Sequence, residues 1–87
     1  MSTAPPCTRY FIEQVLRKRP YLSENLCRAV LARPLQREEQ GDGRIRHWGM
    51  VLLPGDEKER ILRVVTLDDG TTIHNAFPDR NYDGPME

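Results

Sequence analysis

The 87-residue chain has few of the residues that usually identify a protein. It contains two cysteines, two histidines, one tryptophan and 7% aromatic residues, and its 13 basic and 13 acidic side chains cancel to a formal charge of zero. Two cysteines, Cys7 and Cys27, with no C-x-x-C pairing are too few for a disulfide framework and fit reduced thiols of the cell interior. His47 and His74 stand far apart, without the helical spacing of a metal pair, so no metal site is expected. There is no glycine-rich phosphate loop and no serine in a nucleophile elbow, and we expect no cofactor. No apolar run approaches the ~18 residues of a membrane-spanning helix, and Met1 to Cys7 lacks the basic start and apolar stretch of an export signal. The expectation is a cytoplasmic protein with no membrane partner. Zero net charge also argues against a simple polycation that coats nucleic acid.

What is present is unevenly distributed. From Met1 to Gly55 there are nine Lys/Arg against five Asp/Glu, a balance of +4; from Asp56 to Glu87 there are four against eight, a balance of −4. With 38% hydrophobic and 30% charged residues, the chain reads as one globular domain with one modest core. We place that domain at 8–80, between a leader at 1–7 containing Pro5 and Pro6 and an acidic tail at 81–87.

Within the domain the hydrophobic period changes once, from helical to alternating. Phe11, Ile12, Val15 and Leu16 form one stripe of a helix over about Arg9 to Arg19, with Thr8 as its cap and Pro20 as its stop. Ser23 caps a second helix, with Leu22 packing back on Cys27; Leu26, Cys27, Val30 and Leu31 repeat the stripe, and Pro34 ends the helix near Ala32. Strands are predicted over Leu35 to Gln40, Arg44 to Leu53, Arg60 to Leu67 and Thr71 to Phe77, with turns at Asp42-Gly43 and Asp68-Asp69-Gly70. The fold class is therefore α+β: two N-terminal helices on one face of a four-stranded antiparallel meander, ααββββ. The other sheet face is left for function.

Polar residues planted in these strands are the candidates for chemistry. Arg63 and His74 flank the last turn, and its geometry decides whether they meet. A two-residue turn at Asp69-Gly70 sets Val65 opposite His74 and puts Arg63, His74 and Ala76 on one face, with Leu62, Val64, Ile73 and Phe77 on the other. A three-residue turn pairs Arg63 with Asn75 and sends His74 to the opposite face. Cleavage of RNA by its own 2′-hydroxyl needs proton carriers and a cation for the phosphorane charge. His74 can act as acid or base near neutral pH. Arg63, with Arg44 or Arg46 on the neighbouring strand, can grip the phosphate. Glu38 is a second candidate proton carrier, Arg80 a further RNA contact, and Trp48 or Tyr10 can stack a base or simply pack.

The order of elements and the run RILRVVTLDDGTTIHNAFPDR from Arg60 to Arg80 resemble small bacterial proteins of the RelE/BrnT type, within the barnase–colicin–RelE-fold ribonucleases. The likeness spans about residues 9–80. It is carried by Arg63-Val64-Val65 before the turn and Asn75-Ala76-Phe77-Pro78 on the closing strand. It implies a toxin-type, metal-independent endoribonuclease with a catalytic arginine at Arg63, a histidine at His74 and a helper on an earlier strand. RNA or the ribosome would be the substrate, and a cognate antitoxin or another protein the partner. A non-catalytic protein-binding module of the same fold is the alternative.

Overall fold

The computed structural model describes residues 7–82; most of the expected leader, 1–6, and most of the expected tail, 83–87, lie outside the described residues. The elements follow in the order of a π-helical turn Phe11–Val15, α1 Leu16–Lys18, α2 Glu24–Ala32, and strands β1 Gln36–Glu39, β2 Ile45–Val51, β3 Arg60–Thr66 and β4 Ile73–Pro78. The strands form one antiparallel sheet in the order β1-β2-β3-β4. The molecule is thus α+β, with helical segments and a four-stranded antiparallel meander.

The helical half departs from the expected pair of regular helices. Thr8 does cap the first segment: its hydroxyl accepts the Phe11 N–H at 3.1 Å, as a capping side chain should. The turns that follow widen, and the Leu16 N–H reaches back to the Phe11 carbonyl, the i→i+5 bond of a π-helix. Phe11 and Val15 are buried, whereas Ile12, placed in the same stripe by a 3.6-residue period, is 52% exposed. This segment packs against β4, while α2 packs against β2 and β3. Ser23 caps α2 by accepting the Leu26 N–H at 3.2 Å. The helix lies so close to the sheet that a Cβ on Gly49 would meet Val30 Cγ1 at 3.1 Å and Val30 Cα at 3.3 Å.

One buried cluster joins these parts: Phe11, Val15, Leu22, Cys27, Val30, Val51, Leu53, Leu62, Val64, Ile73 and Ala76. Leu62, Val64 and Thr66 alternate with half-buried Ile61, Arg63 and Val65 along β3, the two-residue period of a sheet with one covered face. Cys7, placed in the leader by sequence, bridges to Ile73 and packs on the core. At the other end Tyr82 donates to the Gln36 side chain at 3.1 Å, so ordered contacts extend past the expected boundary at residue 80.

Neither turn geometry considered for the last hairpin is adopted along its whole length. Next to the turn Thr66 stands opposite Ile73, as the favoured register requires. A bulge then intervenes between Val65 and Thr66, and Val65 pairs with Asn75, Val64 with Ala76 and Arg63 with Phe77. The cause is spacing: Ile73 and Ala76 are both fully buried, yet residues three apart point to opposite faces of a regular strand. One extra residue, His74, reconciles them. Ala76 therefore enters the core, and Phe77 moves out beside Arg63, the reverse of the sequence expectation.

Candidate functional site

On the sheet face turned away from the buried cluster the residues form two rows. Gln36, Trp48, Arg63 and Phe77 lie across the four strands in one row, and Glu38, Arg46, Val65 and Asn75 in the next. Two hollows flank Arg63. One, of about 350 Å³, is lined by Arg44, Arg46, Arg63, His74, Tyr10 and Asp42, together with Asn75 and Phe77. The other, of about 310 Å³, is lined by Gln36, Glu38, Trp48, Arg63, Asp79 and Tyr82.

The first hollow gathers four of the six candidate residues. His74 enters it from the bulge, and its side chain is held on two sides. Nδ1 lies 3.1 Å from the Thr8 hydroxyl, and the ring stacks on Tyr10 with centroids 4.9 Å apart and an interplanar angle of 27°. Burial, and then the positive charge of Arg44, hold the His74 imidazole below its ordinary pKa. Its neutral form is therefore favoured around pH 7. Tyr10 is 46% exposed, so part of its surface remains for a second stacking partner.

Arg63 is fixed by Asp79, which was not among the site residues expected from sequence. The Asp79 carboxylate accepts from Arg63 Nη2 at 2.7 Å, from Arg63 Nε at 3.1 Å and from Trp48 Nε1 at 2.9 Å. The Trp48 bond, and then Arg63, draw the Asp79 pKa below the usual carboxylate value against the opposing effect of burial. The guanidinium also lies over Phe77, 4.7 Å from the ring centroid, and 5.6 Å from that of Trp48, within cation–π range. Trp48 stacks in turn on Tyr82 at 5.6 Å. A signal for Asp79 existed: a tryptophan and an arginine on neighbouring strands both need an acceptor when covered.

The remaining two candidates lie elsewhere. Glu38 stands opposite Arg46, 3.9 Å from its guanidinium, and lines the second hollow, not the one containing His74. Arg80 lines a third hollow of about 600 Å³ with Tyr21, Asp56 and Arg60. Thr8, Asp42 and Asn75 also belong to the site and were not among its expected residues: the return of the N-terminal segment to β4 brings Thr8, the bulge places Asn75, and the turn before β2 brings Asp42. Among the described residues no group of His, Cys, Asp and Glu is placed to hold a metal ion, and no helix is long and apolar enough to cross a membrane.

No protein-family model, curated protein or solved structure matches the chain.

Proposed function

We propose that the domain binds RNA through the hollow of Arg44, Arg46, Arg63 and His74, and cleaves its phosphodiester backbone without a metal ion. The hollow lies on the sheet face turned away from the buried cluster, where a strand of RNA can reach it. The observation that carries the proposal is that three arginines and one histidine line a single hollow, beside the half-exposed ring of Tyr10. Guanidinium groups bind phosphate oxygens in pairs and do not lose their charge at neutral pH. An aromatic ring next to them stacks an unpaired base, the usual way proteins hold single-stranded RNA. In the reaction the 2′-oxygen attacks phosphorus and the bond to the 5′-oxygen breaks. The hydroxyl proton is lost, the leaving oxygen gains one, and the arginines stabilise the charge on the phosphorane. The resemblance to RelE/BrnT-type proteins agrees with this reading, and the ribosome and a protein antitoxin are the partners it suggests.

The test is incubation of the purified chain with labelled single-stranded RNA in the presence of a chelator, with and without ribosomes. The expected products are fragments ending in a cyclic phosphate and a free 5′-hydroxyl. His74→Ala should slow their formation by about 10²-fold or more, the usual loss when a group acting on the reacting atoms is removed. Absence of both binding and cleavage would overturn the proposal. A second reading, a non-catalytic module that docks a protein, is favoured by one observation: Glu38, the second proton carrier expected from sequence, does not share the hollow with His74. RNA left intact by a chain that captures a protein through this face would select it.

A further inference from the structure

We infer that Thr8 is a positioning residue that holds His74 as a neutral imidazole protonated on Nε2, so that the histidine meets a phosphate oxygen as a hydrogen-bond donor and not as the base of the reaction. The role toward phosphate rests on the proposed RNA chemistry. The place of the proton is inferred from the hydrogen bonds among the described residues and does not depend on that chemistry.

A threonine hydroxyl has one proton to donate and two lone pairs to accept with. One lone pair of Thr8 Oγ1 is taken by the Phe11 N–H at 3.1 Å, and His74 Nδ1 lies at 3.1 Å. If Nδ1 carried the imidazole proton, the oxygen would accept twice, and the hydroxyl proton would have no acceptor among the described residues. If the hydroxyl donates to Nδ1, every one of these groups is satisfied. The imidazole proton is then on Nε2, the nitrogen that Thr8 leaves free.

Thr8 is itself held firmly enough for the task. Its N–H donates to the Ile73 carbonyl at 2.9 Å, and its carbonyl accepts from the Ile12 N–H at 3.2 Å. Thr8 is thereby tied to the residue next to His74 on one side and to the π-helical turn on the other. Tyr10, stacked on the ring, opposes its rotation. The charges facing the hollow suit a neutral donor: Arg44, Arg46 and Arg63 are positive, Arg46 facing Glu38 and Arg63 bound to Asp79 outside the hollow, and Asp42 is the only carboxylate among the lining residues. A fourth cation would be repelled, whereas a neutral N–H adds a hydrogen bond that strengthens as negative charge grows on the phosphorane. In this arrangement no proton leaves His74. The 2′-hydroxyl proton passes to solvent hydroxide or water, and the leaving oxygen takes its proton from water.

The test is a long-range proton–nitrogen spectrum of the full chain labelled at histidine, with the two histidines distinguished by His47→Gln. We expect the His74 signals of a single Nε2–H tautomer at pH 7.5, and an Nε2 proton resonance that moves as inorganic phosphate is added. Thr8→Val should raise the pH at which His74 titrates, because the hydroxyl that occupies Nδ1 is gone, and Thr8→Ser should restore the original value. A Nδ1–H tautomer in the unaltered chain overturns the inference whether or not Thr8→Val folds. So does a downward move of the His74 titration in Thr8→Val, or an Nε2 proton that phosphate leaves unmoved. A chain that shows the tautomer and the phosphate response but neither binds nor cuts RNA would defeat the proposed function and leave the role of Thr8 standing.

Discussion

Individual side chains set the character of this protein, and Asp79 does so most directly. Its carboxylate joins β2, β3 and the segment after β4 through Trp48 and Arg63, and it is only 8% exposed. Asp79→Asn keeps the shape but removes the charge that Arg63 faces, so the folded state should lose about 1–3 kcal/mol, read as a lower midpoint in urea. His47 makes a second prediction. It is 4% exposed, its Nε2 lies 3.0 Å from the Thr66 hydroxyl, and its Nδ1 has no partner among the described residues. Burial, then the charge of Arg37, lower its pKa, and burial and Arg44 lower that of His74. The unfolded chain therefore binds more protons than the native one just below the ordinary histidine value of about 6.5, and stability falls there by up to about 1.4 kcal/mol per pH unit for each histidine. The loss levels off below the folded-state values. Melting temperatures from pH 8 to pH 5 should show that decline, and His47→Gln should flatten part of it. Asp79 adds a separate loss only at the acid end, below the usual carboxylate range.

At the scale of elements the contact between α2 and β2 is the tightest feature. Gly49→Ala would press a methyl group onto Val30 at 3.1 Å, and the helix must move outward or the strand bend. A cost of about 1–3 kcal/mol is expected, visible as a lower melting temperature with little change in RNA binding. The features that local chemistry controls were legible in the sequence: Ser23 and Thr8 as caps, Pro34 as the end of α2, and the alternation of Arg60 to Thr66 along β3. The π-helical turn was not, because Ile12 and Leu16 fit a regular stripe as well as Phe11 and Val15 do. Packing on β4 alone chooses between them. The bulge at His74 was hidden for a related reason. Turn residues specify a register next to the turn, and Thr66 opposite Ile73 obeys it, but the demand that both Ile73 and Ala76 be buried acts only once the core exists. The candidate site was legible to the same extent. Arg44, Arg46, Arg63 and His74 share a hollow, whereas Glu38 and Arg80 depend on distances along and across the sheet that a register estimate does not give.

For the molecule as a whole, zero net charge conceals a hollow lined by three arginines and one carboxylate. The three arginines around the hollow come from β2, the residue before it and β3, and the acidic excess after Gly55 sits in the 56–59 loop, the last turn and the segment after β4. RNA binding should therefore depend on salt as a local contact does. With three phosphates neutralised, the logarithm of affinity should fall against that of salt with a slope of about −2. Arg44→Ala or Arg46→Ala should reduce the slope by about 0.7 each, measured by fluorescence anisotropy over a salt series. A slope near zero in the unaltered chain would place the RNA elsewhere.

The bulge has one further consequence, a matter of parity. In a two-faced strand, inserting or removing one residue exchanges inside and outside for everything beyond it. Here the bulge absorbs a single residue, His74, so that Ala76 is inside, Phe77 is outside and the chain leaves β4 with Asp79 on the side of Arg63 and Trp48. Removing it would delete the imidazole and the bulge together, leaving Ile73 and Ala76 two residues apart on the buried face and Asn75 and Phe77 still opposite Val65 and Arg63. Loss of the one bulged residue is therefore compatible with the packing of this hairpin, whereas a residue added to or removed from the regular ladder after Asn75 exchanges its two faces.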